Sequence, residues 1–240
     1  MLQTEKRIGE RIRAVVFDAV GTLLHPEPSA AIVYTEVGHL FGSGLDVATV
    51  RRLFREAFGR QEQIDRVAGW RTSETRELER WRAIVAEVLH DVADKEACFA
   101  ALFEHFSQPS NWRCEAAAKG LFATLRQRGI EVAMASNFDR RLRSVAAGIE
   151  AMVDLQKFVI SSEIGWRKPA PQFFAAVCSA VEAAPQNVLI VGDDLVNDYQ
   201  GAMAAGCHAV LFAPDGNKPD YVRCCHNLEN IVDLLECGRA

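Results

Sequence analysis

The chain has few features that would place it outside a reducing, aqueous compartment. No apolar run approaches the roughly 20 residues that a bilayer-crossing helix requires. The segment from Met1 to Arg13 alternates charged and polar residues and lacks the apolar stretch of a signal peptide. The seven cysteines are odd in number and irregularly spaced, which predicts neither a disulfide framework nor a zinc site. We therefore expect a cytoplasmic protein that does not associate with membranes.

An excess of basic residues is also absent. The 27 lysines and arginines are outnumbered by 32 acidic residues, so the net charge is −5 and no positive field would attract nucleic acid. We expect a small-molecule substrate rather than a nucleic-acid partner. The 240 residues, 49% of them hydrophobic, suffice for one full-sized core and a smaller second domain.

The sequence is organised around the stretch from Ala14 to Leu24. Four apolar residues that favour β-structure end abruptly at Asp18, which predicts a buried strand with an acid at its carboxyl end. Gly21 then favours a tight turn, and Thr22 places a hydroxyl beside the acid. Ligands of parallel α/β sheets bind beyond the carboxyl ends of strands. Taken alone, Asp18 is better explained as a residue that merely caps the strand.

The remaining pattern predicts a Rossmann-like, doubly wound parallel sheet with an inserted α-helical bundle. Residues 29–106 contain four segments of helical periodicity and no convincing strand. Beyond residue 107, predicted helices and strands alternate, which is typical of a doubly wound α/β fold. The predicted strands are 130–135, 158–160, 187–191 and 209–212. The predicted helices are 115–128, 139–148, 171–182, 197–205 and 228–236. We assign 1–26 and 108–240 to the core domain and 27–107 to a helical cap domain.

Polar groups follow two more of these strands. Ser136 and Asn137 offer a hydroxyl, an amide and backbone N–H groups suited to an anionic oxygen, although Asn137 would also serve as a helix N-cap. Lys168 lies ahead of a predicted helix, and Pro169 and Pro171, which follow it, would stiffen its loop. We expect the neighbouring Arg167 to face solvent.

A group of acids follows the strand predicted at 187–191. Asp193, Asp194 and Asp198 lie so close together that a cation or a lysine is needed among them. Their hard oxygen ligands suit Mg²⁺. A decorated helix N-terminus explains Asp194 more easily than Asp193.

These four clusters, in this order, resemble the motifs of the haloacid dehalogenase-like (HAD) hydrolase superfamily, including the helical cap inserted after the first motif. Three segments are similar to the group of haloacid dehalogenase-like hydrolase domain-containing protein 3. They are Ser107–Trp112, Ser136–Leu142 and Gly192–Gly201.

The resemblance implies a role for each matching residue. Asp18 would be the nucleophile, oriented by Thr22, with Ser136 and Asn137 holding the substrate's phosphate oxygens and Lys168 neutralising charge. Mg²⁺ would bind Asp18, the backbone carbonyl of Val20, and Asp193. Asp198 would hold Lys168 or metal-bound water, and Asp194 would support the site. This implies a magnesium-dependent phosphatase acting on a small phosphorylated metabolite.

One position departs from the phosphatase pattern. Phosphatases of the superfamily carry a general acid–base aspartate where this chain has Val20, and such catalysis contributes about 10²–10⁴-fold. Slow phosphatase turnover is therefore one expectation. A second is 2-haloacid dehalogenase chemistry, in which halide leaves without a proton, although those enzymes need no metal and lack a counterpart of Asp193. A third is a catalytically quiet binding protein.

Candidate cap contacts to the substrate are Tyr34, Trp70, Arg71 and Trp81.

Overall fold

A computed structural model describes residues 12–216 and 218–236. The predicted absence of a signal peptide concerns a segment of which residues 1–11 lie outside the described ones. Within the described ranges, none of the helices combines the length and apolarity needed to cross a bilayer.

The described residues form eight strands and ten α-helices. The strands are β1 Ala14–Phe17, β2 Leu24–Pro26, β3 Trp112–Cys114, β4 Glu131–Ser136, β5 Lys157–Ile160, β6 Val188–Gly192, β7 His208–Phe212 and β8 Cys224–Cys225. The helices are α1 Ala30–Leu40, α2 Val47–Val67, α3 Glu74–Val88, α4 Lys95–His105, α5 Ala118–Gln127, α6 Arg141–Ala147, α7 Ser161–Ile164, α8 Pro171–Ala180, α9 Gly201–Ala204 and α10 Asn230–Glu236.

Six parallel strands form the central sheet, in the order β5-β4-β1-β6-β7-β8. Successive side chains of a strand point to opposite faces, so each strand feeds two hydrophobic cores. Val15 and Phe17 of β1 pack into the core that contains α5 and α6, whereas Ala14 and Val16 pack into the core that contains α8. The predicted doubly wound α/β fold is confirmed.

Helices α1–α4, which we call the cap, lie between β2 and β3 in the chain. They enclose their own hydrophobic cluster, in which Val50, Ile84 and Leu102 are buried. Ser73 caps the start of α3 by accepting a hydrogen bond from the backbone N–H of Arg76. The four predicted helices are thus present, and the division of domains at residues 27 and 107 stays a prediction.

Several elements differ from the predicted ones, and the short helix α7 and the short strand β8 are among those that were not predicted. β2 and β3 form a separate antiparallel pair where the chain enters and leaves the cap. Each has three residues and β2 ends on a proline, so neither shows a periodicity that would predict a strand. The helix predicted at 197–205 is a π-helical turn at Leu195–Gln200 followed by α9.

Candidate active site

Asp18 lies directly beyond the carboxyl end of β1, the strand at the centre of the sheet. Its backbone N–H donates to the carbonyl of Val191 at 2.8 Å, which continues the pairing with β6. Gly21 turns the chain with φ +96°, and a Cβ at this position would lie 2.3 Å from a carboxylate oxygen of Asp193. Glycine is needed both for the turn and for the close approach of the two strand ends.

Thr22 contacts a different acid from the one expected. Its hydroxyl donates to Oδ1 of Asp193 at 3.1 Å, and Thr22 itself is fully buried. Partial desolvation, followed by the negative charge of Asp198, raises the pKa of Asp193 to about 6. The Thr22 hydroxyl acts in the opposite direction, because it donates to the charged form. Within the described residues, Thr22 therefore orients Asp193 rather than Asp18.

The ammonium group of Lys168 joins the ends of β1 and β4 to the π-helical turn at Leu195–Gln200. Its Nζ donates to Oδ1 of Asp18 at 2.5 Å, to Oδ1 of Asp198 at 2.5 Å and to the carbonyl of Ala135 at 3.0 Å. Burial opposes the charge of Lys168, yet the carboxylates of Asp18 and Asp198 more than compensate and raise its pKa. Burial also disfavours the charged form of Asp18 and so raises its pKa, an effect that the positive charge of Lys168 partly offsets. The result is a buried ammonium shared by two carboxylates.

Asn137 fixes the backbone of the Lys168 loop. Its Oδ1 accepts from the backbone N–H of Lys168 at 2.7 Å, and its Nδ2 donates to the carbonyl of the same residue at 3.1 Å. It is not the N-cap of α6, since that helix begins at Arg141. Ser136 is buried at the end of β4 and stabilises the charged form of Asp18.

Asp194 and Asp198 are both engaged by protein groups. Asp194 caps the π-helical turn by accepting from the backbone N–H groups of Val196 and Asn197, at 2.8 Å each. Asp198 binds Lys168 through Oδ1 and accepts from the Asp194 N–H through Oδ2 at 3.1 Å. A Cβ on Gly192 would approach the Asp198 carboxylate to 2.2 Å, so glycine makes this packing possible.

Carboxylate oxygens of Asp18, Asp193 and Asp198 lie within 4.8 Å of one another. Hard oxygen donors at this spacing fit a small divalent cation. Because both oxygens of Asp198 are already bonded, Asp18 and Asp193 are the carboxylates better able to hold one.

A cavity of about 380 Å³ opens above these carboxylates, between the core and the cap. Val20, Tyr34 and Trp81 are among the residues lining it. The other two candidate cap contacts lie elsewhere: Arg71 stacks on Trp166 with its guanidinium carbon 4.6 Å from the ring centroid, and Trp70 precedes it in the same loop.

Arg167 is not exposed, and the prediction that it faces solvent is wrong. It is 4% exposed, lines the cavity and forms an ion pair with Glu77 of the cap. A second arginine, Arg141, also lines the cavity and was not predicted as a site residue. Asp139 binds it through both carboxylate oxygens, at 2.8 and 2.7 Å. The signal in the sequence that could have indicated this ion pair was an acid two residues before an arginine at the start of a predicted helix.

Comparison with known proteins decides the family. The sequence model of the haloacid dehalogenase-like hydrolases matches residues 12–206. The chain belongs to this family. Haloacid dehalogenase-like hydrolase domain-containing protein 3 of Bos taurus is 28% identical over 94% of this chain and 93% of its own length. This confirms the resemblance to that group. Phosphoserine phosphatase of Thermus thermophilus is 33% identical, over 43% of this chain and 41% of its own.

Solved structures of the family share the fold across both the sheet and the cap. A dehalogenase with an intermediate complex superposes with a TM-score of 0.76 at 18% identity, covering 95% of this chain and 99% of the other. YfnB of Bacillus subtilis, bound to magnesium, has a TM-score of 0.73 at 18% identity, and the match covers 95% of this chain and 100% of YfnB. At this identity the likeness concerns the fold alone.

Proposed function

We propose that this hydrolase removes a phosphoryl group from a small metabolite with the help of Mg²⁺, through an aspartyl intermediate on Asp18. One observation supports this proposal most directly: the Lys168 ammonium donates a hydrogen bond to the Asp18 carboxylate, and both residues line the cavity. A carboxylate needs no base to become a nucleophile, and a buried cation beside it offsets the charge of an incoming phosphate.

Each residue has a role in this proposal. A carboxylate oxygen of Asp18 forms a bond to phosphorus while the bond to the leaving oxygen breaks, and the leaving group departs with the electron pair. Ser136 contacts a phosphoryl oxygen, and Asn137 holds the Lys168 loop in place. Water then attacks the phosphorus of the aspartyl phosphate, which releases inorganic phosphate and restores Asp18.

Asp18, Asp193 and the Val20 carbonyl would hold the metal. Thr22 orients Asp193, Asp198 fixes Lys168, and Asp194 shapes the turn that carries Asp198. The bound ion would neutralise charge on the phosphoryl oxygens. The presence of magnesium in YfnB, which shares this fold, supports the choice of ion.

A second candidate, dehalogenation of a 2-haloacid, is favoured by one observation. Val20 places an alkyl group in the cavity where phosphatases of the superfamily have their general acid, and a halide leaves without a proton. Asp193 beside Asp18 argues against it, because a second carboxylate repels an anionic haloacid unless a cation is bound.

A substrate screen distinguishes these candidates. The wild-type protein and Asp18→Asn would be assayed for phosphate release from alkyl, aryl and acyl phosphates with and without Mg²⁺, and for chloride release from 2-chloropropionate. We expect Mg²⁺-dependent phosphate release that is lost in Asp18→Asn, whose side chain is nearly isosteric. Phosphate release retained in Asp18→Asn would contradict the covalent mechanism, and chloride release without metal would establish the second candidate.

A further inference from the structure

The cavity above Asp18 is walled by a continuous series of aromatic rings. Centroids of successive rings lie 5.2 to 6.4 Å apart from one end of the series to the other. We call these residues the aromatic wall: Trp81, Phe58, Phe54, Tyr34, Phe106 and Trp112. All six line the cavity. The series continues to Phe138, which follows Ser136 and Asn137 directly and lies 6.1 Å from Trp112.

Polar groups on this wall are few. Trp112 uses its indole N–H within the protein, donating to the carbonyl of Phe106 at 3.2 Å. Tyr34 lines the cavity and is only 2% exposed, so bulk water has little access to its hydroxyl. A ligand that offers a polar atom in the cavity would supply this hydroxyl with a hydrogen-bond partner. The wall therefore offers extensive apolar contact and only two further neutral hydrogen-bonding groups, the hydroxyl of Tyr34 and the indole N–H of Trp81.

The cations that line the cavity are already neutralised. Arg141 is held by Asp139, Arg167 by Glu77, and Lys168 by Asp18 and Asp198. A further carboxylate, Glu62, also lines the cavity. A substrate with a second phosphate or a carboxylate would find no unpaired cation there, and burying an uncompensated charge is costly.

The direction of the reaction determines which part of the substrate meets the wall. In phosphoryl transfer the nucleophile and the leaving oxygen are roughly in line. With phosphorus above Asp18, the leaving group extends away from Asp18 and toward the cap. A cavity of about 150 Å³ holds benzene, so about 380 Å³ provides room for a phosphoryl group and a ring.

Building on the proposed function, we infer that the substrate carries its phosphoryl group on an uncharged, apolar leaving group about the size of an aromatic ring. Such a group would stack against the aromatic wall and direct one neutral polar atom to Tyr34. This substrate class differs from phosphoserine, whose amino and carboxylate groups would lie unpaired in the cavity. The relative that is named for phosphoserine aligns with less than half of this chain.

Kinetic comparison of matched substrates tests this inference. Phenyl phosphate and 4-carboxyphenyl phosphate differ by one carboxylate, and the carboxylated phenol is the slightly better leaving group. We expect kcat/KM to be at least roughly 10-fold higher for phenyl phosphate, the ratio expected for burial of an unpaired charge. Phe54→Ala should reduce kcat/KM for phenyl phosphate roughly 10-fold through lost apolar contact. Acetyl phosphate is too small to reach the wall. Its kcat/KM should therefore change less than about 2-fold in Phe54→Ala, which is the scatter expected for substitution at an uninvolved site.

Control variants separate the wall from general effects of mutation. Tyr221→Ala removes an aromatic ring that is 75% exposed and absent from the cavity lining, and should leave both substrates unaffected. If Phe54→Ala does not fold, Phe54→Leu preserves most of the apolar volume while removing the ring. Equal kcat/KM for the two phenyl substrates, or an equal loss with acetyl phosphate in the Phe54 variant, would overturn the inference.

Binding without chemistry separates this inference from the proposed function. Titration calorimetry with Asp18→Asn would compare neutral 2-naphthol with anionic 6-hydroxy-2-naphthoate. We expect the neutral compound to bind at least roughly 10-fold more tightly, and Phe54→Leu to weaken it. If this preference is found in a protein that hydrolyses no phosphate, the apolar subsite holds and the proposed function fails. If phosphates are hydrolysed but the neutral compound does not bind, the subsite fails.

Discussion

The guanidinium of Arg167 in the core donates a hydrogen bond to the carboxylate of Glu77 in the cap. Both side chains are almost completely buried, at 4% and 1% exposure. Asp65 of the cap lies 3.6 Å from Nε of Arg167 and also pairs with the fully buried Arg80. A core arginine that directly precedes Lys168 is therefore enclosed by cap carboxylates.

Backbone bonds reinforce this connection between cap and core. The N–H of Arg167 donates to the carbonyl of Trp70 at 2.9 Å, and the N–H of Thr72 donates to the carbonyl of Gly165 at 3.1 Å. Lys168 follows Arg167 directly, so the loop between α2 and α3 is bonded to the loop that presents the Lys168 ammonium. We infer that the position of the cap and the position of Lys168 are coupled.

Removal of Glu77 should destabilise the protein strongly. Glu77→Ala leaves Arg167 buried with one partner fewer, and breaking a buried ion pair typically costs about 3–5 kcal/mol. The exposed pair of Arg82 and Glu96 provides the control, because Glu96→Ala should cost no more than about 1 kcal/mol. Urea denaturation measures both. Similar losses in the two variants would show that the Arg167–Glu77 pair adds nothing beyond a surface interaction.

The sequence predicted which residues lie at the strand ends better than it predicted their hydrogen-bond partners. Strand periodicity placed Asp18, Ser136 and Asp193 at the carboxyl ends of β1, β4 and β6, and the family resemblance then predicted that these ends form one site. Arg167 could not be placed, because an arginine in a loop gives no sign of a buried acid 90 residues earlier in the chain. Thr22 was assigned to Asp18 because it is near in sequence, whereas its partner Asp193 is 171 residues away.

Magnesium should stabilise the protein against heating. A ligand that binds only the folded state at 100 times its Kd contributes about 2.7 kcal/mol, which for this size corresponds to roughly 5–10 °C in Tm. Asp193→Asn should abolish most of that increase. Asp194→Asn is the matched control, since Asp194 accepts hydrogen bonds from its own turn and should preserve the increase. Differential scanning calorimetry with titrated Mg²⁺ measures the shift, and no shift in the wild type would argue against the metal site.

Without metal, stability should fall as the pH rises from about 4 to about 7. In the folded protein, burial and neighbouring charge raise the pKa of Asp193 and of Asp198 to about 6, from 3.8. Between pH 3.8 and pH 6 the folded state therefore binds more protons than the unfolded state, so the free energy of unfolding falls as the pH rises. The loss of stability is complete above about pH 6 and absent below about pH 3.8. In EDTA at pH 7.5, Asp193→Asn should be more stable than wild type by more than the ~0.5 kcal/mol of a surface change.

The pH dependence of that difference is the decisive measurement. The advantage of Asp193→Asn should disappear near pH 4, where the wild-type acid is also neutral in the folded state. Asp220→Asn, at an exposed turn, should show no such dependence. An advantage of equal size at both pH values would assign the effect to packing rather than to charge.

The lining of the cavity was harder to predict than its floor. The helical periodicity that identified Phe54, Phe58 and Trp81 is the same for a residue packed between helices and for one facing a cavity. Only the tertiary arrangement shows that these rings also face Asp18. Val20 was placed at the site by its position in the first motif, and of the four candidate cap contacts only Tyr34 and Trp81 line the cavity.

Val20 should be the position at which a general acid can be restored. It is half-buried, lines the cavity and follows Asp18 by two residues, with the turn already made by Gly21. Val20→Asp should raise kcat for 2-phenylethyl phosphate, whose alkoxide needs a proton, by up to roughly 10²-fold, the low end for a positioned acid. The increase should be smaller for 4-nitrophenyl phosphate, whose phenolate leaves unaided. Val20→Asn introduces a side chain of nearly the same shape as aspartate that cannot transfer the proton, so this variant should show neither increase. Phosphate release measures all four combinations, and equal increases with both substrates would mean that position 20 does not serve the leaving group.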